Sequence, residues 1–215
     1  MSAVRRWHAE LAWLPGRGVH AGVLIEAAGR YFTAVTPGVA PADCPPGTVR
    51  LPGFTLPGLA NAHSHAFHRA LRGVVQAGQG TFWSWRDRMY QVAGRLQPDS
   101  YLALARAVYA EMALAGITCV GEFHYLHHDS GGARYADPNE MGRVLIEAAA
   151  QAGLRLTLLD ACYLRGGLDR FRDADADAWA ARAGELRDGP AVRIGYPTNE
   201  SAVRRCPIFA VTPRV

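Results

Sequence analysis

Three largely apolar runs, Ile117 to Tyr125, Leu154 to Cys162 and Ala191 to Tyr196, each preceded by a stretch of helical periodicity, constrain this chain most. Strands that are apolar throughout, rather than alternating, belong in a parallel sheet covered on both faces. With Phe54 to His65 as a first strand, strand and helix alternate at a spacing of roughly 30 to 45 residues, the pattern of βαβ units. Helices are expected over Ala66 to Gln76, ended by Gly78 and Gly80, and over Phe82 to Leu96. Further helices run from Pro98-Asp99 to Ala115, from Asp137-Pro138 to Ala152, and from Asp173 to Leu186, with Gly116 and Gly153 stopping the first two. No G-x-G-x-x-G follows a strand, which argues against a dinucleotide site. The best architecture is a (β/α)8 barrel, whose chemistry sits at the C-terminal ends of its strands. His63, His65, His124 and Tyr125 fall at such ends.

Residues 1–55 read differently. Trp7 to Leu14, Val19 to Ala27 and Tyr31 to Thr36 are short apolar runs broken by Pro15-Gly16, Gly29 and Pro37-Gly38, and the proline-rich Ala40 to Gly47 reads as a linker. The expected class is therefore α/β: a small partial β-domain over 1–55, then a partial (β/α)8 barrel of about four strands over 56–196. A full barrel takes about 250 residues, so residues 56–196 are expected to be its first half. Residues 197–215 carry three prolines and no clear period, and are expected to be an irregular tail foreign to the fold of a truncated chain.

Composition removes several function classes. The chain is 49% hydrophobic and 20% charged, as a globular enzyme would be. No run of 18 apolar residues exists and the N-terminus has no signal-type apolar core, so a cytoplasmic protein without membrane contact is expected. All 23 basic residues are arginine. Without lysine there is no Schiff base, no P-loop lysine and no carboxylated lysine to bridge two metal ions. The net charge of +4 is scattered, which gives no nucleic-acid footprint. Cys44, Cys119, Cys162 and Cys206 form no C-x-x-C pair, and Cys119 and Cys162 are expected in the core.

The candidate site begins at His63-Ser64-His65. Side chains at i and i+2 of a strand share a face, so the two imidazoles project together and can share a metal ion. Random placement of eight histidines gives roughly 0.3 such pairs, so the spacing counts only with its context, the end of a strand after Pro57-Gly58. Glu122 lies in an apolar strand; as a buried carboxylate it needs a partner, and it could orient a first-strand histidine. Asp160 is a similar case on the next strand. His124 reads as a structural histidine, His127 and His128 as solvated loop residues, and Trp83 and Trp85 as packing the helix against the barrel.

Pro57-Gly58-Leu59 followed by His63-x-His65 resembles the first barrel strand of the amidohydrolase superfamily. His65-Ala66-Phe67-His68-Arg69-Ala70, Phe82-Trp83-Ser84-Trp85-Arg86 and Glu122-Phe123-His124-Tyr125-Leu126-His127-His128 narrow the likeness to the formimidoylglutamate deiminase family of histidine degradation, over about residues 7–196. The resemblance implies one divalent metal, usually zinc, held by His63, His65 and later residues, and hydrolysis of a formimino group with loss of ammonia. It also implies that Arg86 and Tyr125 contact a small dicarboxylate substrate. His68 stands where the family usually has glutamine; both can hydrogen-bond. The family's later P-H-S-x-R segment has no match in Pro197 to Arg205, and the later metal histidine, the metal aspartate and the proton-shuttling glutamate and histidine have no counterpart in the chain. A homodimer is compatible with this reading. The alternatives are a related deaminase acting on a purine, pyrimidine or triazine ring, distinguished by substrate comparison, and a non-catalytic fragment.

Overall fold

The computed structural model describes residues 3–29, 31–75 and 80–186, and the backbone of 187–188, 193–195 and 208–212. The chain forms two compact units, Met1–Gly58 and Leu59–Val215.

The first unit is one four-stranded sheet. Strands β1 (Val4–Leu14), β2 (Gly18–Ala28), β3 (Tyr31–Thr36) and β4 (Val49–Thr55) lie in the order β3-β2-β1-β4. The first three form an antiparallel meander, and β4 returns parallel to β1. Ala9, Ala12 and Val23 make its small core, with Leu14, Ile25 and Leu51 against them. The stretch Ala40 to Gly47, expected as a linker, is a connection inside this unit that joins β3 to β4 and carries a 3-10 turn, Pro41–Asp43. Arg50 fastens it by donating to Pro41 O at 2.5 Å. Just before it, the chain crosses β2 so closely that a Cβ on Gly22 would lie 2.5 Å from Val39 O. Only glycine fits there, and Val39 N–H donates to Gly22 O across the contact.

The expected strand Phe54 to His65 is two strands. β4 ends at Thr55, and β5 (Leu59–Ser64) opens the second unit. Pro57 in between has no N–H to give to a ladder. The second unit continues with a 3-10 helix (Ala66–Leu71), α1 (Phe82–Ala93), α2 (Pro98–Leu114), β6 (Ile117–His124), α3 (Glu140–Ala152), β7 (Arg155–Ala161) and α4 (Ala176–Asp188). β5, β6 and β7 are adjacent and parallel, three successive strands of the expected barrel architecture. The remaining sequence-predicted helix, Ala66 to Gln76, is shorter and tighter than expected, and its end at Gln76 lies outside the described residues.

Local chemistry explains the boundaries. Pro98 occupies the first turn of α2, and Ser100 and Gln97 close its capping box. α3 ends at Gly153 with φ +73°, whose N–H and that of Leu154 return to Ala149 and Ala150 carbonyls. Met141, Val144, Leu145, Ala148 and Ala149 line the buried face of α3 at the i, i+3, i+4 spacing. Each full-sized side chain buried there contributes about 1.5–3 kcal/mol. No helix among the described residues is long and apolar enough to cross a membrane.

The far edge of the sheet departs from expectation. The run Ala191 to Tyr196 does form a strand, β8 (Arg193–Gly195), but it does not lie beside β7. β9 (Ile208–Thr212), from the stretch expected to be irregular, inserts between them and is antiparallel to both. Ile208-Phe209-Ala210-Val211-Thr212 is rich in strand-forming residues and pairs with Leu158 to Ala161. Residues 196–207 and 213–215, with Cys206 and the whole stretch compared with P-H-S-x-R, lie outside the described residues. Among the described residues the five-stranded sheet stays open, a partial barrel.

Candidate metal and substrate site

β6 lies between β5 and β7, and its two faces do different work. Val120, Glu122 and His124 point into the layer beneath the helices and are buried. The other face carries Gly121 and Phe123. A Cβ on Gly121 would lie 2.9 Å from Ala62 O, so glycine is what lets β5 come this close. Phe123 then meets both histidines of the strand tip, with ring centroids 4.6 Å from His63 and 5.2 Å from His65.

The two imidazoles do project together. Their centroids are 5.0 Å apart, edge to face. His63 is exposed and its backbone N–H donates to Asn61 Oδ1, whereas His65 is half-buried with an unpartnered Nδ1. Burial, and then the neighbouring His63, push the His65 pKa down to about 4. The ring is therefore neutral at physiological pH, the form that can ligate a metal.

One turn on, the 3-10 geometry eclipses residues three apart, and His68 stacks on His65 at 4.5 Å. His68 Nε2 lies 3.0 Å from Tyr125 Oη, and its ring stands edge-on to Trp85 at 5.3 Å. Burial and the two nearby imidazoles lower His68 to about 4 as well. The Tyr125 ring rests against the rings of Phe67, Tyr163 and Phe171, and burial raises the pKa of its hydroxyl, so it keeps its proton. The sequence-predicted His63, His65, His68 and Tyr125 thus form one continuous cluster.

Arg86 stands apart from it on α1. Its guanidinium lies 4.6 Å above the Trp83 ring and 5.5 Å from Tyr90, and 3.7 Å from Asp87. Trp83 does not pack the helix inward as expected; it is 61% exposed and serves as a platform for Arg86. Trp85 does pack against the core, and it is the α1 residue that reaches His68.

His127 and His128 are not solvated loop residues. Both are buried, because the carbonyl of Arg170 accepts both of their backbone N–H groups and folds the loop inward. Arg170 is itself buried and donates to the carbonyls of Ala93, Leu96 and His128, which ties this loop to the end of α1. His127 Nε2 bonds to Ala161 O at 2.9 Å, and His128 Nε2 to Arg172 O at 3.0 Å.

Beneath this loop lies a buried ionic network that the sequence reading missed. Arg182 of α4 donates twice to Asp160 of β7, at 2.9 Å each, and also to Asp173 at 3.0 Å. Trp179 Nε1 adds a third bond to Asp160 at 2.8 Å. Burial alone would raise both carboxyls; for Asp160, His127 and Arg182 overcome it and hold the group far below its usual range. For Asp173, His128 and Arg182 bring it to about 2. The signal in the sequence was Asp160 inside an apolar strand; its partner reads as an ordinary helix-surface arginine. Donor atoms of His124, His127 and Asp160 lie within 4.8 Å of one another, the one such trio among the described residues. A guanidinium already sits against that carboxylate, so a metal dication would approach a positive charge. We read the trio as part of the tie between β7 and α4.

A profile of the amidohydrolase family matches residues 54–195. Over 124 residues, 56% of this chain and 27% of the relative, the chain is 45% identical to formimidoylglutamate deiminase of Pseudomonas aeruginosa. It is 28% identical to 8-oxoguanine deaminase of the same organism over 74% of this chain and 35% of the relative. Among solved structures it resembles an amidohydrolase from Brucella melitensis, with TM-score 0.71 and 34% identity over 86% of this chain and 42% of that one. It also shares the fold of atrazine chlorohydrolase from Arthrobacter aurescens, crystallised with zinc, with TM-score 0.70 and 23% identity over 86% of this chain and 43% of that one. The chain thus spans well under half the length of each of these relatives.

Proposed function

This chain belongs to the amidohydrolase family, and on that premise we propose that it carries the first metal ligands and part of the substrate site of an enzyme hydrolysing N-formimidoyl-L-glutamate to N-formyl-L-glutamate and ammonia. The 45% identity to a formimidoylglutamate deiminase supports the substrate class. The observation that carries the reading is the contiguity of the His63–His65 imidazole pair with the His68–Tyr125 couple at the tip of β5.

The donor set suits one borderline divalent ion such as zinc. His63 and His65 would hold it, and the buried, unpartnered Nδ1 of His65 is an orphan that such an ion satisfies. Catalytic zinc normally keeps three protein ligands. No described trio of donors includes this pair, so the reading assigns the further ligands to residues outside the described ones. A bound ion supplies Lewis acidity and lowers the pKa of water to about 7.

The other residues bind and orient. With Tyr125 protonated and His68 neutral, their 3.0 Å bond leaves one donor over in either tautomer, the tyrosine O–H or the His68 Nδ1–H. That donor is available to a substrate oxygen. Arg86 can grip a carboxylate through two parallel hydrogen bonds while Trp83 supports its guanidinium.

The 28% identity to 8-oxoguanine deaminase, over more of the chain, favours a second reading, deamination of a purine-type ring. An uncharged ring has no need of Arg86. Ammonia release with added zinc, compared between N-formimidoyl-L-glutamate and 8-oxoguanine, tests the choice, and equilibrium binding of the two compounds ranks them without requiring turnover. Preference for the acyclic amidine supports the proposal; preference for the purine overturns it.

A further inference from the structure

Glu122 is a fully enclosed carboxyl near the candidate site, and it reaches the main chain beside His65. Its Oε1 accepts the backbone N–H of Ala66 at 2.5 Å, a contact across 56 residues of sequence. Ala66 immediately follows His65 and begins the 3-10 helix. His65 is the cap residue of that helix and makes no side-chain capping bond, so the first N–H of the turn would be an orphan donor in a buried place. Glu122 supplies the missing acceptor. On the other side of His65, Ser64 pairs with Glu122 in the β5–β6 ladder. The residues before and after His65 are therefore both registered to one residue of the neighbouring strand.

The consequence reaches two side chains. With the peptide fixed at Ala66, His65 is held at φ −133° and ψ 89°, the turn from strand into helix. The 3-10 turn then places His68 over it, 4.5 Å between ring centroids. A chain end left free at Ala66 could rotate both rings at once.

We propose that Glu122 is a positioning residue that acts on the main chain: by holding the Ala66 N–H from β6, it aims His65 at the metal position and stacks His68 upon it. Burying a carboxyl is costly, and at this place it satisfies a backbone donor that the cap residue His65 leaves without a side-chain bond. The inference rests on the reading that His63 and His65 hold a metal.

The test compares the 215-residue chain with Glu122→Gln, Glu122→Ala and the double variant His63→Ala/His65→Ala. Zinc affinity is measured by competition with a chromophoric chelator, and the Ala66 amide and the His65 and His68 ring resonances are followed by NMR. Loss of a residue that orients a metal ligand weakens the metal by about 10–100-fold. Glu122→Ala is expected to lose zinc affinity by that factor and to lose the cross-peaks between the His65 and His68 rings. Glu122→Gln keeps an acceptor for Ala66 N–H and is expected to stay within about threefold of the parent, with those cross-peaks intact. A folded Glu122→Ala that binds zinc like the parent overturns the proposal. So does a folded Glu122→Gln that loses zinc affinity by about tenfold or more against the parent, and this arm stands even if the alanine variant fails to fold. Unchanged zinc binding by His63→Ala/His65→Ala overturns the metal reading instead, and the NMR arm still decides whether Glu122 sets the two rings.

Discussion

Arg182 and Asp160 meet through two parallel hydrogen bonds, both 2.9 Å long, where neither side chain reaches solvent to any extent. The pair joins α4 to β7, and Asp173 and Asn139 complete the guanidinium's partners. Removing one member leaves the other as a buried, uncompensated charge. Arg182→Ala is expected to cost about 3–5 kcal/mol in urea unfolding. Arg182→Lys should recover little, since an ammonium cannot make the two parallel bonds. A loss below about 1 kcal/mol for Arg182→Ala would mean that the network is not holding α4.

Acid should destabilise the second unit before it protonates any carboxylate of that network. Burial keeps His127 neutral, with its pKa pushed down to about 4, despite the nearby Asp160. The unfolded chain takes up this proton near 6.5 and the folded chain refuses it until about pH 4, so stability is complete above 6.5 and falls as the pH drops through that window. Asp160 and Asp173, whose folded pKa values lie below the unfolded ones, extend the loss from about pH 4 downward. Glu122 acts with the opposite sign, because burial raises it to about 7 and its contribution fades as the pH rises from 4.5. The test is the change in Tm between pH 7.5 and pH 5. His127→Gln, which keeps a donor for Ala161 O, should show a smaller drop than the parent; an equal drop would remove His127 as the cause.

Gly121 controls how closely β5 can approach. Gly121→Ala puts a methyl 2.9 Å from the backbone oxygen of Ala62, where no flexible side chain can give way. The expected cost is about 1–3 kcal/mol, measured by chemical denaturation, together with weaker zinc binding because the His63–His65 segment must move. Unchanged stability and affinity would show that the two strands have slack.

Arg86→Ala should weaken binding of N-formyl-L-glutamate by about 10–100-fold, the range for losing hydrogen bonds to a charged group. The affinity for zinc should not change, because Arg86 lies outside the histidine cluster. Calorimetric titration of both ligands distinguishes a carboxylate contact from a general defect.

The sequence made the parallel core legible because each boundary there is written locally. Ile117 and Leu154 begin apolar runs directly after Gly116 and Gly153, and those glycines stop the preceding helices. The clustering of His63, His65, His68 and Tyr125 was legible because motif and strand position agreed. The burial of His127 and His128 was not, since it depends on the carbonyl of Arg170, more than 40 residues away. Arg182 gave no local sign either, as its partners lie 22 residues back on β7 and 9 residues back in the connection before α4. The place of β9 is likewise a matter of non-local pairing: the run Ile208 to Thr212 could be read as a strand only once the edge of β7 was known to be available.

The central claim is that the metal belongs to the tip of β5 and not to the buried His124–His127–Asp160 trio. Zinc titration of the parent, His63→Ala/His65→Ala and His127→Gln, by competition with a chromophoric chelator, tests it most directly. The account predicts that the double variant loses the site while His127→Gln binds like the parent. Retention by the double variant with loss in His127→Gln would contradict it.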